Sequence, residues 1–263
     1  MHSKPTNTEK NILADYVLFL ADCSLIMGHR LSEWTAHAPS IEQDIAVTNI
    51  ALDLIGQARN FYQYAAEVIK LNGEKVEKKT EDELAYLRDV NEYKNLLITE
   101  LPNGDWARTV SKIFFFSAWQ YFYYQKSFYS TDKQLSAIAE KSLKEVSYHL
   151  KWSGDWIIRL GDGTGESKRR MEKAVEEVWP YTGEMFRPVD YEKELENSVG
   201  INVSSIQNNW LEKISAVFDE ATLSVPNETW MHDGGKKGLH TEHLGYILAE
   251  MQFLQRAYPG LEW

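Results

Sequence analysis

The chain has 263 residues, 43% of them hydrophobic, with 28 Lys and Arg against 39 Asp and Glu for a formal net charge of −11. That much apolar material supports a substantial buried core, while the excess of carboxylates repels a nucleic-acid backbone and excludes nucleic acid as a partner. Cys23 is the only cysteine, so the chain can form neither an internal disulfide nor a thiolate-based zinc or iron–sulfur site, which fits a reducing cytoplasm.

Asp15 and Asp22 interrupt the apolar run after "MHSKPTNTEK", so no signal-like segment is expected there. The longest strongly apolar stretch, Ile113 to Gln125, is shorter than the roughly 20 residues that span a hydrocarbon core, and no membrane association is expected. A first helix is predicted from about Thr8 to Arg30. Ser40 with Gln43 has the spacing of a capping box and opens a helix to about Lys70, closed by Gly73. Thr80 with Glu83 opens another that stops before Pro102. Between them, "LNGEKVEKKTEDE" (71–83) reads as a charged connection.

Asp105 caps a predicted helix through the aromatic run to about Ser130, and Thr131 with Gln134 opens a long one that Gly161 closes. "GDGTGES" (161–167) lacks the features of a phosphate loop and reads as a turn. Further helices are predicted near 167–185, 204–221 and 240–257, and alternating strand periodicity is nearly absent. The expected architecture is all-α, one domain over 1–263, with a core bundle over about 8–160 and additional helices over about 165–258. Helices of 25 to 30 residues measure roughly 40 Å, long enough to lie side by side.

Bundles of this kind can hold two irons with a Glu from each of two helices and a Glu-x-x-His pair from each of the other two. This chain falls short of that recipe. Glu145 has Tyr148 three residues on, and His149 arrives only at the fourth; Asp53 is followed by Gly56 and Gln57, with no imidazole. The segment from Trp106 to Ser130 contains no Asp, Glu or His at all. At best Asp22, Asp53, Glu145 and His149 remain, and Glu145 and His149 are expected to be a hydrogen-bonded polar pair on one helix. "HTEH" (240–243) spaces its histidines three apart rather than the four of a zinc-protease box, so both are expected at a helix end or an interface.

"NIALDLIGQARNF" (49–61), "PNGDWA" (102–107), "KEVSYHLKWSGDWIIRLGDGT" (144–164) and "GGKKGLHTEHLGYILAEMQFLQRAYPG" (234–260), with "HAP" at 37–39, carry a resemblance over nearly the whole chain after Asp15. They resemble the C subunits of the bacterial ring-1,2-phenylacetyl-CoA epoxidases, multicomponent monooxygenases of aerobic phenylacetate degradation. The resemblance implies a ferritin-like fold and a structural role without a cofactor of its own. It places the di-iron centre in a catalytic A subunit, which this chain would bind and stabilise, and electron supply in a separate NADPH-dependent reductase. It also implies that relatives can carry an acid where Ser117 stands, a further departure from a metal site, and that Asp53, Gln57, Glu145 and His149 are vestigial positions, expected as a polar network in the space where the related subunit keeps its metals.

A supporting subunit needs apolar surface to bury. The run from Phe114 to Tyr129 places aromatics almost all round its helix, so one side is expected to face the core and another to be covered by a partner, with burial wholly in the core as the alternative. Lys236 and Lys237 on the glycine-flanked loop 234–238 form a locally positive site expected to take an anion, either a carboxylate of the partner or a phosphate of phenylacetyl-CoA. Two other functions stay open on the sequence: a di-iron oxygenase in its own right, using Asp53, Glu145 and His149, and an acyl-CoA-binding module acting through the two lysines.

Overall fold

A computed structural model describes residues 7–71, 80–227 and 230–261, and the regular structure among them is helical. The first two helices, α1 (Asn7–Ser32) and α2 (Ile41–Leu71), form an antiparallel hairpin in which Gly28 lies against Ile55 and Tyr62 donates to Asp22 at 2.5 Å. A Cβ on Gly28 would sit 2.9 Å from the Ile55 side chain, so the close approach of the two helices requires glycine there. The stop predicted at Gly73, and most of the 71–83 connection, lie outside the described residues.

The capping box at Thr80 and Glu83 forms, but it opens only the short α3 (Glu81–Tyr86) instead of a helix reaching Pro102. The cause lies in α1. Arg88 turns inward, donates from Nε to the Leu84 carbonyl at 2.6 Å and pairs its guanidinium with buried Asp22, whose other oxygen also accepts from the Lys94 main chain at 2.8 Å. One carboxylate thus draws a side chain and a main-chain amide out of helical register. The segment resumes only as a 3-10 turn at Val90–Glu92 and as α4 (Leu97–Glu100).

The second hairpin pairs α5 (Trp106–Ser127) with α6 (Lys133–Gly161). Asp105 caps α5 by accepting from the Arg108 amide. Asp132, not Thr131, caps α6: its Oδ1 accepts from the amides of Gln134 and Leu135, both at 2.9 Å, while Thr131 donates to the Ser198 carbonyl. Beyond α6 come α7 (Gly165–Val178), α8 (Asp190–Leu195), α9 (Gln207–Glu220), α10 (Glu242–Met251) and α11 (Phe253–Ala257). The helix predicted over 167–185 ends at Val178 because Pro180 cannot continue it, and two 3-10 turns follow. The one predicted over 240–257 starts at Glu242 behind a Thr241 cap and breaks at Gln252, whose buried amide reaches the Arg88 carbonyl and the Tyr93 hydroxyl.

One apolar core runs from Tyr16 to Leu223, drawing on both hairpins and on α7 to α9. It corrects the expectation for α5. Every residue from Thr109 to Gln120 is buried, because the side turned away from α6 is covered by the chain's own later elements. Phe115 packs against Trp179, Trp210 and Phe218, and Trp210 Nε1 donates to the Phe115 carbonyl. Of the aromatic residues in the run, only Phe128 and Tyr129, at its C-terminal end, are exposed. The identity of the longest apolar segment also needs a correction. Ile12 to Ser32 is long and apolar enough to cross a membrane, but 78% of that window is buried within this fold, and Asp22 lies in it.

Candidate functional site

One helical turn separates Asp53 from Gln57 on α2 and Glu145 from His149 on α6, and the antiparallel packing of the two helices matches them rung for rung. Gln57 Nε2 donates to Glu145 Oε2 at 2.9 Å, and His149 Nε2 donates to Asp53 Oδ2 at 3.0 Å. The structure therefore brings the four polar side chains singled out in the sequence into one cluster, but Glu145 and His149 are not the pair expected on one helix: each bonds across to α2 instead, because the packing of the two helices sets a partner opposite each of them. It adds two that acid-and-imidazole counting passed over. Gln120 on α5 reaches Gln57 Oε1 at 3.4 Å and the Tyr124 hydroxyl at 3.2 Å, and Tyr124 donates to the same Gln57 oxygen at 3.4 Å. Their signal was present: two hydrogen-bonding groups four residues apart inside an aromatic run.

Gln57, Gln120 and His149 are buried, whereas the Asp53 side chain keeps 38% of its surface, so the cluster grades from the protein surface into the bundle interior. This donor set does not fit a di-iron cage, which needs several carboxylates with free oxygens converging alongside two imidazoles. Gln57 presents its NH2 to Glu145, Asp53 is occupied by the only imidazole in the cluster, and α5 contributes amide, phenol and, at buried Ser117, hydroxyl groups. Among the described residues, no three His, Cys, Asp or Glu side chains are placed to share a metal ion. What the arrangement can do is tie α2, α5 and α6 together through hydrogen bonds that offset much of the cost of burying polar groups, while His149 Nδ1 and Gln120 Oε1 are buried without a hydrogen-bond partner among the described residues.

The glycine-flanked loop is a different case from the one expected. Lys236 is buried, with Nζ 3.0 Å from both carboxylate oxygens of Glu192, 3.2 Å from the Arg187 carbonyl and 5.2 Å from the centre of the Phe19 ring. The loop's main-chain amides are also taken: Gly234 and Lys236 donate to Glu184 Oε1 at 2.8 and 3.3 Å, while Leu97 donates to its other oxygen. Burial pushes the Glu184 carboxyl up from its ordinary range, against these amides and the nearby lysine. The anions that the loop attracts are thus the chain's own. Lys236 is not available to an external ligand, and only Lys237 remains exposed. Gly235 sits where a Cβ would lie 2.3 Å from the Asn95 carbonyl oxygen, so the loop is clamped, not flexible.

His240 is also used internally. Nδ1 lies 3.0 Å from Glu100 Oε2 and Nε2 lies 2.9 Å from the Tyr93 carbonyl. Both partners are acceptors, so both nitrogens must carry protons and the ring is an imidazolium. Glu100 accepts in addition from the Thr241 amide at 2.6 Å and from Asn95 Nδ2 at 3.0 Å. His243 is the second residue of α10, and its amide is capped by the Thr241 hydroxyl. The two histidines therefore share no ligand.

Residues 1–263 match the protein family described as phenylacetic acid catabolic protein. The chain belongs to that family. Among its relatives, the protein of Escherichia coli (strain K12) named as the C subunit of 1,2-phenylacetyl-CoA epoxidase is 44% identical over 254 residues, an alignment that covers 96% of this chain and 100% of that protein. In this member of the phenylacetic acid catabolic family, a further buried charge pair pins the α1–α2 hairpin to the connection after α3. Asp22 accepts from Arg88 and Tyr62, and the Arg88 guanidinium lies 4.2 Å from the centre of the Tyr93 ring. Asp22, the remaining metal candidate on α1, is therefore committed to a salt bridge.

Proposed function

We propose that this chain is a non-catalytic subunit of a phenylacetyl-CoA epoxidase complex, binding and stabilising a catalytic subunit that holds the di-iron centre. The observation that carries the reading is the Gln57–Glu145 bond at 2.9 Å. An amide hydrogen is aimed at the carboxylate on the face of the bundle where a metal-binding relative would need a bare oxygen, and Gln120 and Tyr124 complete the shell with further neutral groups. The same reading leaves electron transfer to a separate reductase acting on the catalytic partner and places the complex in the cytoplasm. The acyl-CoA-module alternative loses its support, since Lys236 is spent on Glu192.

The test is metal analysis and turnover of the purified chain, alone and beside the catalytic subunit, with phenylacetyl-CoA, oxygen and a source of electrons. The expected outcome is less than a tenth of an equivalent of iron in the isolated chain, no turnover by it, and a gain in activity and stability of the catalytic subunit when it is added. Stoichiometric iron and turnover by the lone chain would overturn the proposal.

A further inference from the structure

The C-terminal helices are attached to the bundle by a small core of their own. Leu244, Ile247 and Leu248 on α10 pack on Ile26 and Tyr93, apart from the main apolar cluster. Around this core, polar bonds fix the unit in place: His240 on Glu100, Gln252 on the Arg88 carbonyl, and Arg256 on the Arg88 carbonyl at 3.0 Å and on Asp89 at 2.9 Å. The inward face is accounted for.

The outward face is apolar as well. Tyr246 on α10, Phe253 and Leu254 on α11, and Tyr258 and Leu261 in the segment that follows are exposed, as are Leu87 and Val90 after α3, all between 39% and 64%. Val90 and Phe253 line one groove of this surface, and Leu87, Tyr258 and Leu261 line an adjoining cleft of about 970 Å³; Arg256 separates the two. At about 150–250 Å² per fully exposed aromatic and somewhat less for Leu and Val, these side chains present on the order of 700 Å². That exceeds the roughly 300–600 Å² of the largest apolar patch on an ordinary monomer and approaches the ~800 Å² that each partner contributes to a stable protein–protein interface.

The charges around the patch select the occupant. Asp82, Glu242 and Glu250 are exposed at its margin, while the basic Arg256 is already paired with Asp89. A second copy of this chain, with its net charge of −11, would set carboxylate against carboxylate. An anionic lipid surface is disfavoured for the same reason. We propose that this face docks a different subunit of the complex, one whose contacting surface is apolar and rimmed by Lys and Arg. The assignment rests on the reading of the chain as a supporting subunit and names the surface through which it acts.

The patch residues point away from the core, so they can be changed without removing the bonds that hold the unit. The experiment uses the full chain co-expressed with the other subunits of the complex, with affinity measured by sedimentation and hydrogen exchange followed in the free and assembled states. Tyr246→Glu with Phe253→Glu is expected to weaken assembly at least 30-fold. Glu242→Lys with Glu250→Lys, which leaves the apolar surface intact, is expected to weaken it about 5- to 10-fold and to flatten its salt dependence. Residues 244–261 should gain protection on assembly. Unchanged affinity in both variants, or protection confined to the α2–α6 face around Ile45, Leu52 and Tyr148, would overturn the assignment while leaving the supporting role intact. A homodimer broken by the same substitutions would also overturn it, in favour of a second copy. If the wild-type chain joins no other subunit, the supporting role itself fails and this surface with it.

Discussion

Replacing Gln57 with glutamate tests the polar cluster where it departs most sharply from a metal site. Gln57 Nε2 lies 2.9 Å from Glu145 Oε2; the substitution exchanges a donor for an acceptor and leaves two carboxylates facing each other with charge centres about 4 Å apart. Their repulsion is about 4 kcal/mol at an effective dielectric of 20 and about 1 kcal/mol at that of water, and the lost hydrogen bond adds about 1 kcal/mol. Gln57 is buried and Glu145 half-buried, so a loss of about 2–4 kcal/mol is expected at pH 8. The deficit has a direction in pH. In the folded variant the pair gains by sharing a proton that the separated carboxyls of the unfolded chain would already have released, so the cost is full at high pH and shrinks as pH falls toward the ordinary carboxylate range. Urea unfolding of the wild type and the variant at pH 8 and pH 5.5 measures this directly, with Gln57→Met as a control that loses the bond without adding charge. A variant as stable as the wild type at pH 8, or a deficit that does not shrink on acidification, would refute the account of this cluster as a metal-free hydrogen-bonded network.

The other predictions concern the charges that hold the fold. Arg88→Met strands Asp22 in the core and should cost about 3–5 kcal/mol; adding Asp22→Asn should recover part of it, and equal losses in the single and double variants would contradict the pairing. Lys236→Met should cost a similar amount by leaving Glu192 without its lysine, whereas Lys237→Ala, on the same loop but exposed, should stay within about 0.5 kcal/mol in denaturant titrations. At His240, burial alone lowers the imidazole pKa, but the Glu100 carboxylate at 3.0 Å, the Tyr93 carbonyl and the Asp22 charge together outweigh it and hold the pKa above the ordinary value. The stabilisation is therefore complete below about pH 6.5 and is lost as pH rises through the raised folded value. Urea midpoints from pH 6 to pH 9 should fall more steeply for the wild type than for His240→Asn, and parallel curves would count against a fixed imidazolium.

Much of this fold was readable from local patterns because local patterns cause it. The bounds of α1, α2, α5 and α6 follow from apolar periodicity interrupted by capping residues, and they agree with the observed helices to within about three residues. The missing acids on α5 and the four-residue steps from Asp53 to Gln57 and from Glu145 to His149 are properties of the chain itself, which is why the cluster could be anticipated from spacing. The helix predicted up to Pro102 failed for a non-local reason. Asp22, more than 60 residues upstream, takes Arg88 and the Lys94 amide, and no window around residue 90 contains that information.

The helical class, the long helices and the family were legible in the amino-acid order, because they depend on residue type and on spacing within a few turns. The partner that each polar group received was not, and emerged only from the packed fold. Gln57 meets Glu145 across 88 residues, His240 meets Glu100 across 140, and Lys236 turns from a candidate anion site into the buried counter-ion of Glu192. A buried charge takes whichever opposite charge the packing of distant helices delivers, and that packing is set by the whole core rather than by any stretch of chain near the charge.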